Sequence, residues 1–110
     1  VQPFAYTPFS ITVQPERSRV AVVPEGELDS SVTDLLEREV RELRGTGFDH
    51  VVIDLRKLSF IDSAGLRVLL SLRNHALRDG HRLTLLRGPR DVQRLFELTA
   101  TKGLFDWRDR

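Results

Sequence analysis

Four consecutive residues, Asp62-Ser63-Ala64-Gly65, form the arrangement in this chain best suited to chemistry at a hydroxyl. A β-branched apolar run lies upstream of them, and a leucine-rich helical pattern opens at Leu66. A hydroxyl at such a junction stands at the mouth of a helix, where the first backbone N–H groups have no intrahelical acceptor. Ser63 is the only hydroxyl between Asp62 and Leu66. It reads either as a plain N-cap or as a residue that another molecule acts upon. Asp62 can cap the helix and can also orient that hydroxyl. Upstream, Gly26-Glu27-Leu28-Asp29 places two carboxylates on either side of Leu28. Asp54, near a strand end, reads as a structural hydrogen-bonder. His50, His75 and His81 are scattered without metal-ligand spacing, so no metal site is expected.

A strand, a turn with serine and a helix also make up the nucleophile elbow of hydrolases. Here the residue two before Ser63 is Ile61 rather than Gly. His75 falls on the serine's own helix and His81 opens the next strand. The chain also has no glycine-rich phosphate loop and implies no cofactor. It therefore reads as a non-enzyme, with Ser63 open between a plain N-cap and a hydroxyl that another molecule acts upon.

The bulk composition narrows the class further. The 110 residues are 40% apolar and 30% charged, in the range of an ordinary single globular domain. A net charge of +1 supplies no field to attract nucleic acid or an acidic membrane surface. All but Lys57 and Lys102 of the 17 basic residues are Arg. The absence of cysteine removes disulfide scaffolds and thiolate chemistry, and fits a cytoplasmic life. No apolar run approaches the ~20 residues that span a bilayer. The chain begins at Val1 and holds no Met, which points to a trimmed chain.

The elements that must position Ser63 follow from periodicity. Residues 1–8, with two prolines, read as an extended lead-in to a single domain over 9–110. Phe9, Ile11 and Val13 alternate with polar residues, as in a half-buried strand. Arg19 to Val23 is a second strand, joined to the first by a short turn, with Pro24 expected at its end or on an edge. Ser30 and Ser31 offer N-cap oxygens to a helix whose apolar face is Val32, Leu36, Val40 and Leu43. Gly45 and Gly47 end it. Val51 to Leu55 is continuous and β-branched, as in a central strand buried on both faces. A helix runs from Leu66 to about Arg78, with Arg73 in its apolar stripe. Arg82 to Leu86 is a further strand, Pro89 opens a last helix, and Gly103-Leu104-Phe105 is a candidate final strand. The order is ββαβαβα with an optional last β. It predicts a mixed, mostly parallel sheet of four to five strands that starts with an antiparallel hairpin and carries helices packed on it.

The chain resembles the STAS domains, specifically the small anti-sigma factor antagonists of bacteria. Three stretches carry the resemblance: Gly26-Glu27-Leu28-Asp29, the strand ending near Asp54, and Phe60-Ile61-Asp62-Ser63-Ala64-Gly65-Leu66. It extends from about Phe9 to Phe105. The resemblance implies a STAS fold and a partner that is both anti-sigma factor and serine kinase. It implies that Ser63 is phosphorylated by that partner, that only the unphosphorylated form binds it and frees the sigma factor, and that a serine phosphatase resets the cycle. Asp62, Ser63, Ala64, Gly65 and Arg67, with Glu27 and Asp29, are the expected partner contacts. A weak homodimer is left open. Many members carry Ser or Thr where this chain has Ala64, and a further helix where few residues follow Phe105. A second reading is a sensing or scaffolding STAS module that takes a nucleotide or anion at the Ser63 helix mouth without a phosphorylation cycle.

Overall fold

The computed structural model describes residues 8–109. The lead-in expected over residues 1–8, with Phe4 and Tyr6, lies outside the described residues except for Pro8. The two opening strands, β1 (Ser10–Pro15) and β2 (Val20–Leu28), pair antiparallel from Ser10↔Glu25 to Pro15↔Val20. Helix α1 (Thr33–Gly45) carries the chain to β3 (His50–Asp54), which joins β2 in parallel. A short strand β4 (Leu58–Ile61) leads into α2 (Ser63–Asp79). Then follow β5 (Arg82–Leu86), α3 (Arg90–Leu98), a single 3₁₀ turn over Lys102–Leu104, and β6 (Asp106–Arg108). The sheet order is β1-β2-β3-β5-β6, with β4 paired to β2. This is the expected mixed α/β sheet that begins with an antiparallel hairpin.

The sheet has six strands rather than four or five. The difference arises in β2, which does not stop at Val23 but runs on to Leu28. Its first half pairs with β3 at Val20–Val22, and its last residues pair with β4 at Gly26↔Leu58, Glu27↔Phe60 and Leu28↔Ile61. Pro24 lies in the gap between these two parallel ladders, so its missing N–H interrupts neither. The register shifts between Gly26 and Glu27, and Gly26 takes φ +107° there, a left-handed conformation that favours glycine. Gly26-Glu27-Leu28 is thus part of the strand.

Alternate residues of the central strands face a single core. Val20 and Val22, Val51 and Ile53, and Leu85 pack with Leu36 and Val40 of α1, Leu69 and Leu72 of α2, and Val92 and Phe96 of α3. The opposite face of β3 and β5 is buried as well and is partly polar, with His50, Asp54 and Thr84. Thr84 Oγ1 donates to Asp106 Oδ2 at 3.0 Å, so its one proton is used. The His50 ring must therefore donate through Nε2, 2.8 Å from Thr84 Oγ1. Burial first, then the charges of Arg82, Arg108 and Arg19, hold His50 below its ordinary pKa, while Asp106 pulls the other way.

Two local expectations are corrected. Ser30 and Ser31 do not cap α1, whose N-cap position is Val32 with no side-chain cap bond. The Asp29 carboxylate accepts from the Ser31 N–H at 2.9 Å and from its hydroxyl, which folds the turn back before the helix begins. The last strand is Asp106–Arg108, one step beyond Gly103–Phe105. Phe105 and Trp107 both meet the buried Phe96 ring edge-on, with centroids at 5.6 and 4.9 Å, and the Trp107 indole N–H donates to the Lys102 carbonyl. Those contacts fix the 3₁₀ turn ahead of the strand. Arg73, the charged member of the α2 stripe, reaches across and donates to the Leu104 carbonyl.

Candidate functional site

β2 and β4 end side by side and deliver the chain to the starts of α1 and α2. Leu28 pairs with Ile61, and the Asp62 N–H points to the Leu28 carbonyl at 3.4 Å. This rim at the carboxyl ends of parallel strands is where open α/β sheets most often bind. Asp62 is the N-cap of α2: its Oδ1 accepts from the Gly65 N–H at 2.9 Å, and its carbonyl takes the first helical bond, from Leu66, at 2.9 Å. Ser63 is therefore the first residue inside the helix. Its side chain is exposed and, among the described residues, has no side-chain hydrogen bond. The capping duty that a serine often performs at this point is carried by its neighbour.

Gly65 has a different part from its neighbours. It is buried, and a Cβ there would meet the Leu28 carbonyl at 2.4 Å and Ile61 Cγ1 at 2.8 Å. The close approach it permits is between α2 and the end of β2, within the chain. Gly65 is thus the buried member of the set expected to meet a partner. Ala64 is half-buried and Arg67, one turn from Ser63, is exposed. Glu27 is exposed beside Phe60, its partner across the ladder, and Asp29 is half-buried in the turn with Ser31. Hydrogen bonds from Ser31 hold the Asp29 carboxyl below its usual range.

The structure adds surface that the sequence reading did not name. Phe60 is 45% exposed on β4, an aromatic ring on the same rim as Ser63. Ser30, Thr33, Asp34 and Glu37 line one wall of a shallow groove whose other wall is Ala64, Arg67, Val68 and Ser71 of α2. Thr33, Asp34 and Glu37 share one face of α1, with Ser30 in the turn before it, but only the packing of α1 beside α2 turns that face toward Ser63. Asp54 stands apart, as a structural pair: it accepts from the Arg56 guanidinium at 2.9 and 2.7 Å. Burial opposes its ionisation, yet the Arg56 bonds and charge hold it below the usual carboxylate range. Among the described residues no cluster of His, Cys, Asp and Glu could hold a metal ion, and no helix is long and apolar enough to cross a membrane.

A strand-fed helix mouth with an uncapped hydroxyl can be compared with known proteins as a unit. The family model described as STAS domain matches residues 10–109. The chain belongs to the STAS domain family. Its fold is similar to that of an anti-sigma factor antagonist from Mycobacterium paratuberculosis, with a TM-score of 0.79 and 19% identity over 94% of this chain and 87% of that one. It is also similar to the anti-sigma factor antagonist SpoIIAA in its unphosphorylated form, with a TM-score of 0.75 and 18% identity over 92% and 90% of the two chains. The Bacillus cell fate determinant SpoIIAA in the phosphorylated form gives a TM-score of 0.69 and 17% identity over 92% and 93%. At these identities the likeness is one of STAS fold.

Proposed function

We propose that this STAS domain is an anti-sigma factor antagonist of the partner-switching kind, cytoplasmic and without catalytic activity of its own. Its unphosphorylated form binds an anti-sigma factor with serine kinase activity and so releases a sigma factor. Phosphorylation of Ser63 blocks that binding, and a serine phosphatase restores it. The observation that carries this reading is the exposed Ser63 hydroxyl, relieved of capping by Asp62 and held at the mouth of α2. A hydroxyl with no structural duty can enter another protein's active site without cost to the fold. The phosphoryl donor and its Mg²⁺ would be held by that partner.

The physical basis of the switch is charge placed inside a contact surface. A phosphoryl group brings about −1.5 to −2 charges and three acceptor oxygens. The α2 N-terminus favours it by roughly 0.3–1 kcal/mol, while Asp62 opposes it. These terms nearly cancel within the chain, so the fold is expected to stay as it is. Burying the same charge unpaired beneath a docked partner costs several kcal/mol. Each ~1.4 kcal/mol is a factor of ten in affinity. The partner surface in this reading comprises Ser63, Ala64 and Arg67, the rim residues Asp62, Glu27, Asp29 and Phe60, and the groove between α1 and α2.

Incubation with the cognate kinase and ATP, followed by mass spectrometry, tests the assignment. A single phosphosite at Ser63, lost in Ser63→Ala, is expected; labelling that persists in that variant would sink it. Ser63→Asp should keep the fold and lose the partner by at least tenfold. The reading as a receptor for a free nucleotide or anion is the weaker one. The Asp62 carboxylate already occupies the Gly65 N–H and puts a negative charge at the mouth. Calorimetry with GTP, ATP and phosphate separates the two, since heat from binding at this mouth would favour the receptor.

A further inference from the structure

A second cavity, of about 390 Å³, lies farther along α1 and α2, shares Glu37 with the groove beside Ser63, and has no part in the proposed switch. Arg44 of α1 and His81, just beyond α2, stand in its wall. Among the described residues, the buried side-chain polar atoms that lack a hydrogen-bond partner are Arg44 Nε, Arg44 Nη2 and His81 Nδ1. All three belong to this one wall. Asp49 Oδ1 lies 3.6 Å from His81 Nδ1, beyond hydrogen-bond reach. A buried donor without an acceptor costs stability, more so when it is charged. The two guanidinium donors of Arg44, with the unpartnered His81 ring nitrogen on a residue of the same wall, call for a partner.

The missing partner's chemistry can be read from the rest of the chain. Arg56 offers the same Nε and Nη2 edge to the two oxygens of Asp54, at 2.9 and 2.7 Å. A planar, two-oxygen acceptor is what that edge fits. The other arginines of the cavity face acids of their own, Arg41 with Glu37 at 3.5 Å and Arg78 with Asp79 at 3.8 Å. Asp79 also acts electrostatically on Arg44, so the three arginines share two acids and the wall carries one surplus positive charge. α1 and α2 both end here, and the negative ends of their dipoles weigh against any anion, more against a dianion than against a monoanion. Leu72 supplies an apolar floor.

We propose that this cavity binds a small aliphatic monocarboxylate, its two oxygens on the Arg44 Nε and Nη2 edge and its carbon chain against Leu72. The edge is shielded from solvent, so uptake includes a rotamer change of Arg44. This site is independent of the Ser63 reading and stands or falls without it.

The test is a titration of the ¹⁵N-labelled chain with acetate, butyrate and inorganic phosphate at constant ionic strength, read at the Arg44 Nε–H and the His81 ring. Saturable shifts at both are expected, with butyrate several-fold tighter than acetate and phosphate the weakest. Arg44→Lys keeps the charge but loses the planar fork, and should weaken butyrate about tenfold. Arg44→Gln should abolish its binding. The wild-type titration decides the matter even if a variant folds poorly. Absence of saturable shifts, shifts centred on Ser63 to Gly65, phosphate binding tighter than butyrate, or undiminished affinity in folded Arg44→Gln would each overturn the proposal.

Discussion

Gly65→Ala and Gly45→Ala are the same substitution in two helices, and they should move stability in opposite directions. At Gly45, the last residue of α1, an added Cβ meets nothing within 4 Å. Alanine there gains helix propensity and loses unfolded-state entropy, worth about 0.5–1 kcal/mol. At Gly65 the same gain is available, but the Cβ would lie 2.4 Å from the Leu28 carbonyl oxygen and 2.8 Å from Ile61 Cγ1. Ile61 has a side chain that can turn. The Leu28 carbonyl cannot yield cheaply, because Leu28 is fully buried, is paired to Ile61 and faces the Asp62 N–H. Overpacking against backbone costs about 1–3 kcal/mol and overrides the propensity gain. The net expectation is a loss of about 1–2 kcal/mol, or roughly 5–10 °C in Tm for a domain of this size. Gly45→Ala should rise by roughly 2–5 °C on the same scale. Thermal melts followed by far-UV circular dichroism measure both. Amide shifts in Gly65→Ala should concentrate at Leu28 and at Ile61 to Leu66. A Gly65→Ala protein that melts at or above the wild type would refute the idea that this glycine exists for the contact between α2 and the end of β2.

Three further perturbations follow from named contacts. Asp62→Ala removes the cap on the Gly65 N–H and should cost about 0.5–2 kcal/mol in denaturant unfolding, with Asp62→Asn recovering most of it. His50 is held below its ordinary value of 6.5 by burial and by Arg82, Arg108 and Arg19, so the unfolded chain binds its proton first. Stability is complete above about pH 6.5 and falls as the pH drops from there toward the lower folded value; His50→Gln should flatten that slope in urea titrations between pH 7.5 and about pH 5. Asp54, also lowered, contributes stability that is present above its ordinary value of 3.8 and is lost as the pH falls below it. Arg56→Ala removes the guanidinium bonds and charge and leaves only the residue's backbone N–H and Lys57 to oppose burial at Asp54, so the acid-unfolding midpoint should move to higher pH; an unchanged midpoint would mean the pair is idle.

The fold was legible where periodicity is strong. The β-branched run from Val51, the α1 stripe of Leu36 and Val40, and the leucine face of α2 all appear in one core. β4 was missed because it is only four residues long and pairs with a part of β2 that carries Gly26 and Glu27, residues with poor strand propensity. The α1 cap was misread for a related reason. Ser30 and Ser31 are good capping residues, but Asp29 takes the Ser31 hydrogen-bonding groups first. At the site, a one-residue resolution was needed. Local sequence offers Asp62 and Ser63 as equal candidates for the cap, and only the backbone decides between them. The groove walls and Phe60 depend on how α1 lies beside α2 and how β4 lies beside β2, which no local pattern encodes.

That one-residue decision bears on how a phosphorylation switch could work here. If Ser63 were the cap, a phosphoryl group would first break a helix bond, and the change of binding could come from a changed helix. With Asp62 as the cap and Gly65 as the packing residue, Ser63 is left with neither task. Surface substitutions without such ties usually stay within about ±0.5 kcal/mol. A Ser63→Asp protein that melts like the wild type and yet fails to bind would therefore report on the contact surface alone. The added charge falls beside Asp62 and one turn from Arg67, so the local balance moves from near neutral to negative. Bulk salt screens such a charge while it is exposed and screens it much less once a partner covers it. High salt should thus leave the binding defect of Ser63→Asp largely in place, whereas a defect made by long-range repulsion alone would fade as the salt concentration rises.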